Sequence, residues 1–147
     1  MFSRIIAGNT IKIGEKIISF SKETIIQKLI ELDNLVCFSI QPVSNDLNWK
    51  NIETHQIWKK RCDENPSQLF CYNNEGNQLW KFDSNEVVGF EAELPMLKKP
   101  EDFITSEHYK KYMKKFVGRE LLIVYTGNFR YRVDANTGEI HDKIESR

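Results

Sequence analysis

The chain has 147 residues, of which 40% are hydrophobic and 29% charged, proportions that fit one soluble globular domain and exclude a disordered chain. Lys plus Arg and Asp plus Glu each number 21, so the formal net charge is zero, which excludes a strongly basic phosphate-binding protein. The three cysteines, Cys37, Cys62 and Cys71, show no CxxC spacing. This pattern argues against a disulfide framework or a zinc site and fits a reducing cytosol.

The N-terminal residues, MFSRIIAGNTIKIGEK, lack the long apolar segment of a signal peptide. No apolar run approaches the roughly 20 residues that a membrane-spanning helix needs. We therefore expect a soluble, cytoplasmic protein without a membrane partner.

Alternating apolar and polar residues predict β structure in the first third of the chain. Residues 11–20 fit a strand with a turn near Gly14. Residues 24–41 fit either two strands joined by a turn at Asp33 and Asn34, or a helix followed by a strand. The abundance of isoleucine favours the two strands.

The middle of the chain combines a polar segment with a clear hairpin. Residues 42–66 predict a long loop with scattered apolar anchors and room for a short helix. The stretch LFCYNNEGNQLWKF then predicts strands over residues 69–72 and 78–82, with the turn at NNEGN. We expect this hairpin to be structural and Trp80 to pack in the core.

Residues 83–104 are acidic and are broken by Pro95 and Pro100, so we expect irregular structure there. A helix over residues 105–117 follows, because its apolar residues recur at i, i+3, i+4 and i+7. Thr105 or Ser106 caps its start, and Gly118 ends it.

The last segment predicts strands over 120–125 and 129–133, a turn over 134–138 and a short strand over 139–141. In the turn DANTG, Asp134 and Asn136 should bond to nearby backbone and Gly138 should adopt the left-handed conformation. The whole chain, residues 1–147, is then a single mainly β (β-rich α+β) domain, a curved antiparallel sheet or small sandwich with one helix. No internal repeat is visible.

Candidate catalytic groups are sparse. The histidines His55, His108 and His141 have no metal-binding spacing, and no phosphate-binding loop or cofactor motif occurs. If residues 90–94 form a strand, Glu91 and Glu93 point to one face, and paired carboxylates can support hydrolysis. A small hydrolase that uses these two residues is therefore an alternative to a binding protein.

Charge is segregated along the sequence despite its zero sum. Residues 108–119 carry five basic residues and no acid, whereas residues 83–107 contain only two lysines. Such segregation steers a charged partner and sharpens specificity. The acidic segment is the predicted partner-binding surface, and its carboxylates are Asp83, Glu86, Glu91, Glu93, Glu101, Asp102 and Glu107.

Two segments resemble a known group of proteins. LFCYNNEGNQLWKF is similar to a hairpin of the form aromatic-x-x-x-x-G-x-x-L-W-x-aromatic, and LLIVYTGNFRYRVDANTGEI to one of the form Y-x-G-x-x-Y-x-V-D-x-x-T-G-x-I. This order resembles that in small bacterial immunity proteins of polymorphic or contact-dependent growth-inhibition toxin systems. The resemblance covers residues 69–82 and 120–141 well and 10–40 loosely, and residues 83–117 depart from it.

The resemblance implies a cytosolic, non-enzymatic protein that binds a cognate toxin domain, such as a nuclease, and blocks its active site. It supplies no catalytic residue, metal or cofactor. A third interpretation, an adaptor that binds through its lysine-rich helix, also stays open.

Overall fold

The protein is a stack of three antiparallel β-sheets, which a computed structural model describes for residues 1–145. The first sheet contains β1 (Ser3–Ala7), β2 (Thr10–Ile13) and β3 (Lys16–Ser19). The central sheet contains β4 (Thr24–Glu31), β5 (Leu35–Pro42), β6 (Gln68–Asn73) and β7 (Gln78–Lys81). The last sheet contains β8 (Val87–Glu93), β9 (Leu121–Thr126), β10 (Phe129–Asp134) and β11 (Ile140–Glu145). The predicted mainly β α+β class is confirmed.

Within each sheet, every strand pairs with its neighbour in the chain. The fold therefore repeats one simple meander, although the sequence shows no internal repeat. The three meanders share the alternation of side chains between the two faces of a strand, but they do not share a common sequence.

The central sheet is buried on both faces, which creates two hydrophobic cores. Val36 and Phe38 face the first sheet, where they meet Ile11 and Ile13. The alternate residues of β5 and β6 face the last sheet, and that core includes Leu35, Cys37, Leu69, Cys71, Phe90, Leu122, Val124 and Val133. Because β5 needs apolar side chains on both faces, its sequence LVCFSI is almost continuously apolar.

Two hairpins predicted from the sequence are confirmed. Residues 24–41 form β4 and β5 rather than a helix and a strand, and residues 69–81 fall within β6, its turn and β7, with Phe82 directly after the strand. The strand over 139–141 is longer than predicted, since β11 runs to Glu145, and β1 was not predicted at all.

The helices differ from the sequence prediction in number. The predicted helix is confirmed as α2 (Ser106–Phe116), with the Thr105 hydroxyl accepting a hydrogen bond from the His108 N–H at 3.1 Å. Gly118 follows it with φ +80°. Within residues 42–66, predicted as a long loop with room for a short helix, the structure has an 11-residue helix, α1 (Thr54–Glu64), in which Thr54 is the one buried residue. Among residues 1–145, no helix has the length and apolar character that crossing a membrane requires.

The prediction of irregular structure over 83–104 was wrong for its first half. Val87 and Phe90 are buried and anchor β8 as an edge strand of the last sheet. The acidic residues that flank them, Glu86, Glu91 and Glu93, hid this pattern. After β8 the chain does become irregular, with short 3-10 helices at Pro95–Leu97 and Pro100–Asp102.

Trp80 joins the central sheet to the last sheet. It is half-buried, and its indole N–H donates a hydrogen bond to the carbonyl oxygen of Ala135 at 2.8 Å. Gly138, with φ +79°, lies against the ring, because a Cβ there would be 2.8 Å from Trp80 Cδ2. The Asp134 carboxylate accepts hydrogen bonds from the N–H groups of Asn136 and Thr137, which shapes the turn that carries Gly138. Trp80 thus links the hairpin of residues 69–82 to that of residues 120–141, and we call its contacts with Ala135 and Gly138 the clasp.

Candidate partner-binding surface

The side of the last sheet that faces away from the central sheet, the outer face, carries a row of charged side chains. They reach this face by alternation, since Ile123 lies opposite both Glu91 and Arg132, and Arg132 lies opposite Asp142. Together they line a depression of about 130 Å³, whose lining residues are Glu91, Glu93, Ile123, Tyr125, Arg130, Arg132, Asp142 and Ile144.

One half of the outer face is a fixed ion-pair network centred on Arg132. The guanidinium group lies 2.7 Å from a Glu93 carboxylate oxygen and also pairs with Asp142. It stacks over the rings of Tyr112 and Phe116 in α2, at 5.6 and 5.3 Å from their centroids. Burial lowers the pKa of Arg132, but the bonds to the two carboxylates outweigh it and raise the pKa. Arg132 therefore stays charged and holds α2 against the sheet.

The Tyr112 hydroxyl lies in the same half of the outer face, near the Glu93 carboxylate. Burial, followed by the nearby Glu93 carboxylate, raises the pKa of Tyr112. Its oxygen is buried and has no hydrogen-bond partner within residues 1–145. This half of the outer face is dominated by packing and charge pairing, so it offers little free surface to a partner.

The other half of the outer face is open. The Tyr125 hydroxyl donates a hydrogen bond to a Glu91 carboxylate oxygen at 2.8 Å, and this bond raises the pKa of Tyr125. Glu91 is exposed and makes no ion pair within the described part of the chain. Arg130 and Ile144 are exposed beside Tyr125 and complete the open half. The Glu91 carboxylate is thus oriented by a hydrogen bond on a rigid sheet, and Arg130 lines the same depression without forming an ion pair with it in the described part of the chain.

The seven predicted carboxylates lie on several elements and do not all share one site. Glu91 and Glu93 line the same depression. Asp83 and Glu86 are exposed in the connection between β7 and β8, and Glu107 is exposed in the first turn of α2. Glu101 and Asp102 belong to the second 3-10 helix, where the Asp102 carboxylate accepts a hydrogen bond from the Lys99 N–H at 2.9 Å.

Sequence reasoning missed the other polar residues of the depression, which are Tyr125, Arg130, Arg132 and Asp142. The signal for the two arginines was present in FRYRV, where alternation places both on the face opposite Val133. No pattern in the sequence pairs Arg132 with Glu93, because 39 residues separate them.

The two carboxylates of the hydrolase alternative differ in their contacts on the outer face. Glu91 and Glu93 do share a face, as the hydrolase alternative requires, but Arg132 and Lys98 already contact the Glu93 carboxylate. Within residues 1–145, no group of three or more His, Cys, Asp or Glu side chains is arranged to hold a metal ion.

No family model matches the chain, and neither the curated proteins nor the solved structures give a match. The two halves of the outer face differ in one respect that bears on binding: Arg132 forms ion pairs with the carboxylates of one half, whereas Glu91 in the other half forms no ion pair within the described residues.

Proposed function

We propose that this protein is an immunity protein: it binds a cognate toxin domain and neutralises it by covering the active site or substrate cleft. The mechanism is steric, so it needs no covalent step and no cofactor. The resemblance of the two clasped hairpins to those of toxin-system immunity proteins supports this function.

The observation that carries the proposal is the unpaired, oriented carboxylate of Glu91. A side chain that is already fixed loses little conformational entropy when a partner binds. A toxin that acts on nucleic acid needs a basic cleft for phosphates. Glu91, which lines the depression together with the apolar Ile123 and Ile144, suits a lysine or arginine in such a cleft, and a nuclease is accordingly the toxin class that we favour.

The other predicted carboxylates keep a secondary role in this proposal. Asp83, Glu86, Glu101 and Glu107 are exposed and lie outside the depression. Charges at the rim of an interface mainly accelerate association and add little to affinity. We therefore expect the strongest contribution from Glu91 and weak, salt-dependent contributions from the others.

The test is calorimetric titration of the protein with the product of the adjacent reading frame. We expect nanomolar binding, and Glu91→Lys should weaken it by about 2–5 kcal/mol, the usual cost when a desolvated charge pair is broken. Glu101→Lys, an equal change of charge at an exposed site outside the depression, is the matched control and should change the affinity less than tenfold. Equal affinities for wild type and Glu91→Lys would remove the outer face from the interface.

The two other interpretations make different demands on the same protein. A hydrolase built on Glu91 and Glu93 would show turnover in an activity screen and lose it in Glu91→Gln. An adaptor that binds nucleic acid through the lysines of α2 would show affinity that falls steeply with added salt. Our proposal expects neither behaviour.

A further inference from the structure

Two of the three cysteines face each other in the core between the central and last sheets. Cys37 in β5 and Cys71 in β6 are direct partners in the antiparallel register, and both are fully buried. The Cα atoms of residues so paired lie about 4.5–5.5 Å apart, within the range of about 4.4–6.8 Å that a disulfide spans. The two sulfur atoms can therefore join without a change in strand pairing.

We infer that Cys37 and Cys71 form an oxidative modification site, at which a cross-strand disulfide closes when the chain meets a disulfide oxidant such as oxidised glutathione. One cysteine thiolate attacks the oxidant, forms a mixed disulfide and releases one reduced glutathione. The second cysteine then attacks the mixed disulfide at the first cysteine's sulfur and releases another. The protein loses two protons and two electrons, and the oxidant gains them.

The folded protein protects both thiols. The contact with Cys71, together with burial, raises the pKa of Cys37, and the Cys71 thiol donates a hydrogen bond to the Ala135 carbonyl oxygen at 3.4 Å. A protonated, buried thiol is a poor nucleophile. Oxidation should therefore be slow in the native state and should require local opening.

The structure indicates where that opening begins. Trp80 lies opposite Cys71 on β7, which is a four-residue strand at the edge of the central sheet. Short edge strands with few partners open more readily than central strands. Opening there requires release of the hydrogen bond from Trp80 to the Ala135 carbonyl oxygen, which also accepts the hydrogen bond of the Cys71 thiol. Such opening would free Cys71 first, while Cys37 stays on the inner strand β5, so the attack on the oxidant falls to Cys71.

The disulfide would also change the stability of the protein. It would close a loop from residue 37 to residue 71, which includes all of α1. Closing a long loop restricts the unfolded chain and so favours the folded state. The oxidised protein should keep the native fold and unfold at a higher temperature.

The third cysteine supplies the control and simplifies the assay. Cys62 lies in α1, is half-buried and does not pair with either partner in the register. Trypsin leaves Cys62 and Cys71 in one peptide, residues 62–81, and Cys37 in another, residues 29–50. The Cys62→Ser variant therefore allows an unambiguous assignment, and Cys62→Ser/Cys37→Ser is its matched negative control.

The experiment is to incubate Cys62→Ser with oxidised glutathione, with and without mild urea, and to map the tryptic peptides without reduction. We expect peptides 29–50 and 62–81 to be joined, with the mass of two hydrogens lost, faster in urea. The far-UV circular dichroism should be unchanged after urea is removed, and the thermal midpoint should rise. The inference is overturned if both thiols can still be alkylated after unfolding and refolding in the oxidant, or if the linked protein fails to regain its native spectrum.

Discussion

The clasp between Trp80 and Gly138 allows a quantitative test of how the central and last sheets hold together. We predict that Gly138→Ala destabilises the protein much more than an alanine at a comparable glycine elsewhere. The backbone at Gly138 has φ +79°, and an added Cβ would lie 2.8 Å from Trp80 Cδ2 and 2.9 Å from Cγ. The indole cannot retreat freely, because its N–H is bonded to Ala135.

The expected cost has three parts. Alanine in the left-handed region costs about 1–2 kcal/mol, of which about 0.4–1 is regained because the unfolded chain loses entropy. Overpacking against a ring costs about 1–3 kcal/mol, and loss of the Trp80–Ala135 hydrogen bond about 0.5–1.5 kcal/mol. Together these contributions give about 1.5–6 kcal/mol, and their central values give about 4 kcal/mol, a large share of the roughly 5–15 kcal/mol that stabilises a typical domain.

The chain offers a matched control for the backbone cost. Gly118 has a nearly identical φ of +80°, and no atom lies within 4 Å of the position of its Cβ. Gly118→Ala should therefore cost about 1 kcal/mol or less. Urea unfolding of both variants, followed by far-UV circular dichroism, isolates the contact with Trp80 as the difference between them. If both variants lose the same stability, the indole does not restrain the turn and the clasp is not a structural link.

Two further predictions concern attachment of the N-terminus and of α1. Glu31→Gln should destabilise the protein by about 1 kcal/mol at neutral pH, because the Glu31 carboxylate accepts hydrogen bonds from Ser3 Oγ and the Phe2 N–H. Burial raises the pKa of Glu31, but the two hydrogen bonds outweigh burial, so the pKa in the folded protein is lowered. The stabilisation is therefore fully present above the ordinary glutamate pKa and is lost as the pH falls through the lowered pKa of the folded protein. Unfolding curves of variant and wild type should therefore converge in acid, and a constant gap would contradict this. Arg61→Gln should loosen the attachment of α1, because the Arg61 guanidinium donates hydrogen bonds to Glu23, Asp46 and the Val43 carbonyl oxygen. Chymotrypsin should then cleave the chain after Trp58 faster than it cleaves the wild type. The control is Lys60→Gln, which removes only an exposed ion pair with Glu64 and should leave the cleavage rate unchanged.

How far the sequence predicted the fold depended on whether one face of an element is buried. The hairpins and α2 were predicted correctly because their apolar residues repeat with a clear period. For α1, no such period exists, since Thr54 is the one buried residue of the helix and Arg61 bonds it to Glu23, Val43 and Asp46. Polar attachment leaves no hydrophobic pattern to read, and the segment therefore looked like a loop.

The candidate site was predictable only in part for a related reason. Alternation along β8 placed Glu91 and Glu93 on one face, and the structure agrees. Their different surroundings could not be foreseen, because Arg132 and Tyr125 come from strands that lie far along the chain. Register between distant strands decides which carboxylate is paired and which is free, and sequence spacing does not determine that register.

The architecture itself restricts where a partner can bind on a sheet face. The central sheet is covered on both sides, so only the two end sheets have a face directed away from the stack. On the last sheet, α2 packs over Arg132 and occupies the half that contains Glu93. The open half then holds Glu91 and Tyr125, fixed by their mutual hydrogen bond. A rigid sheet with half of its outer face covered presents a small, defined surface, and binding there would gain its specificity from the placement of one carboxylate rather than from the total acidic charge of residues 83–107.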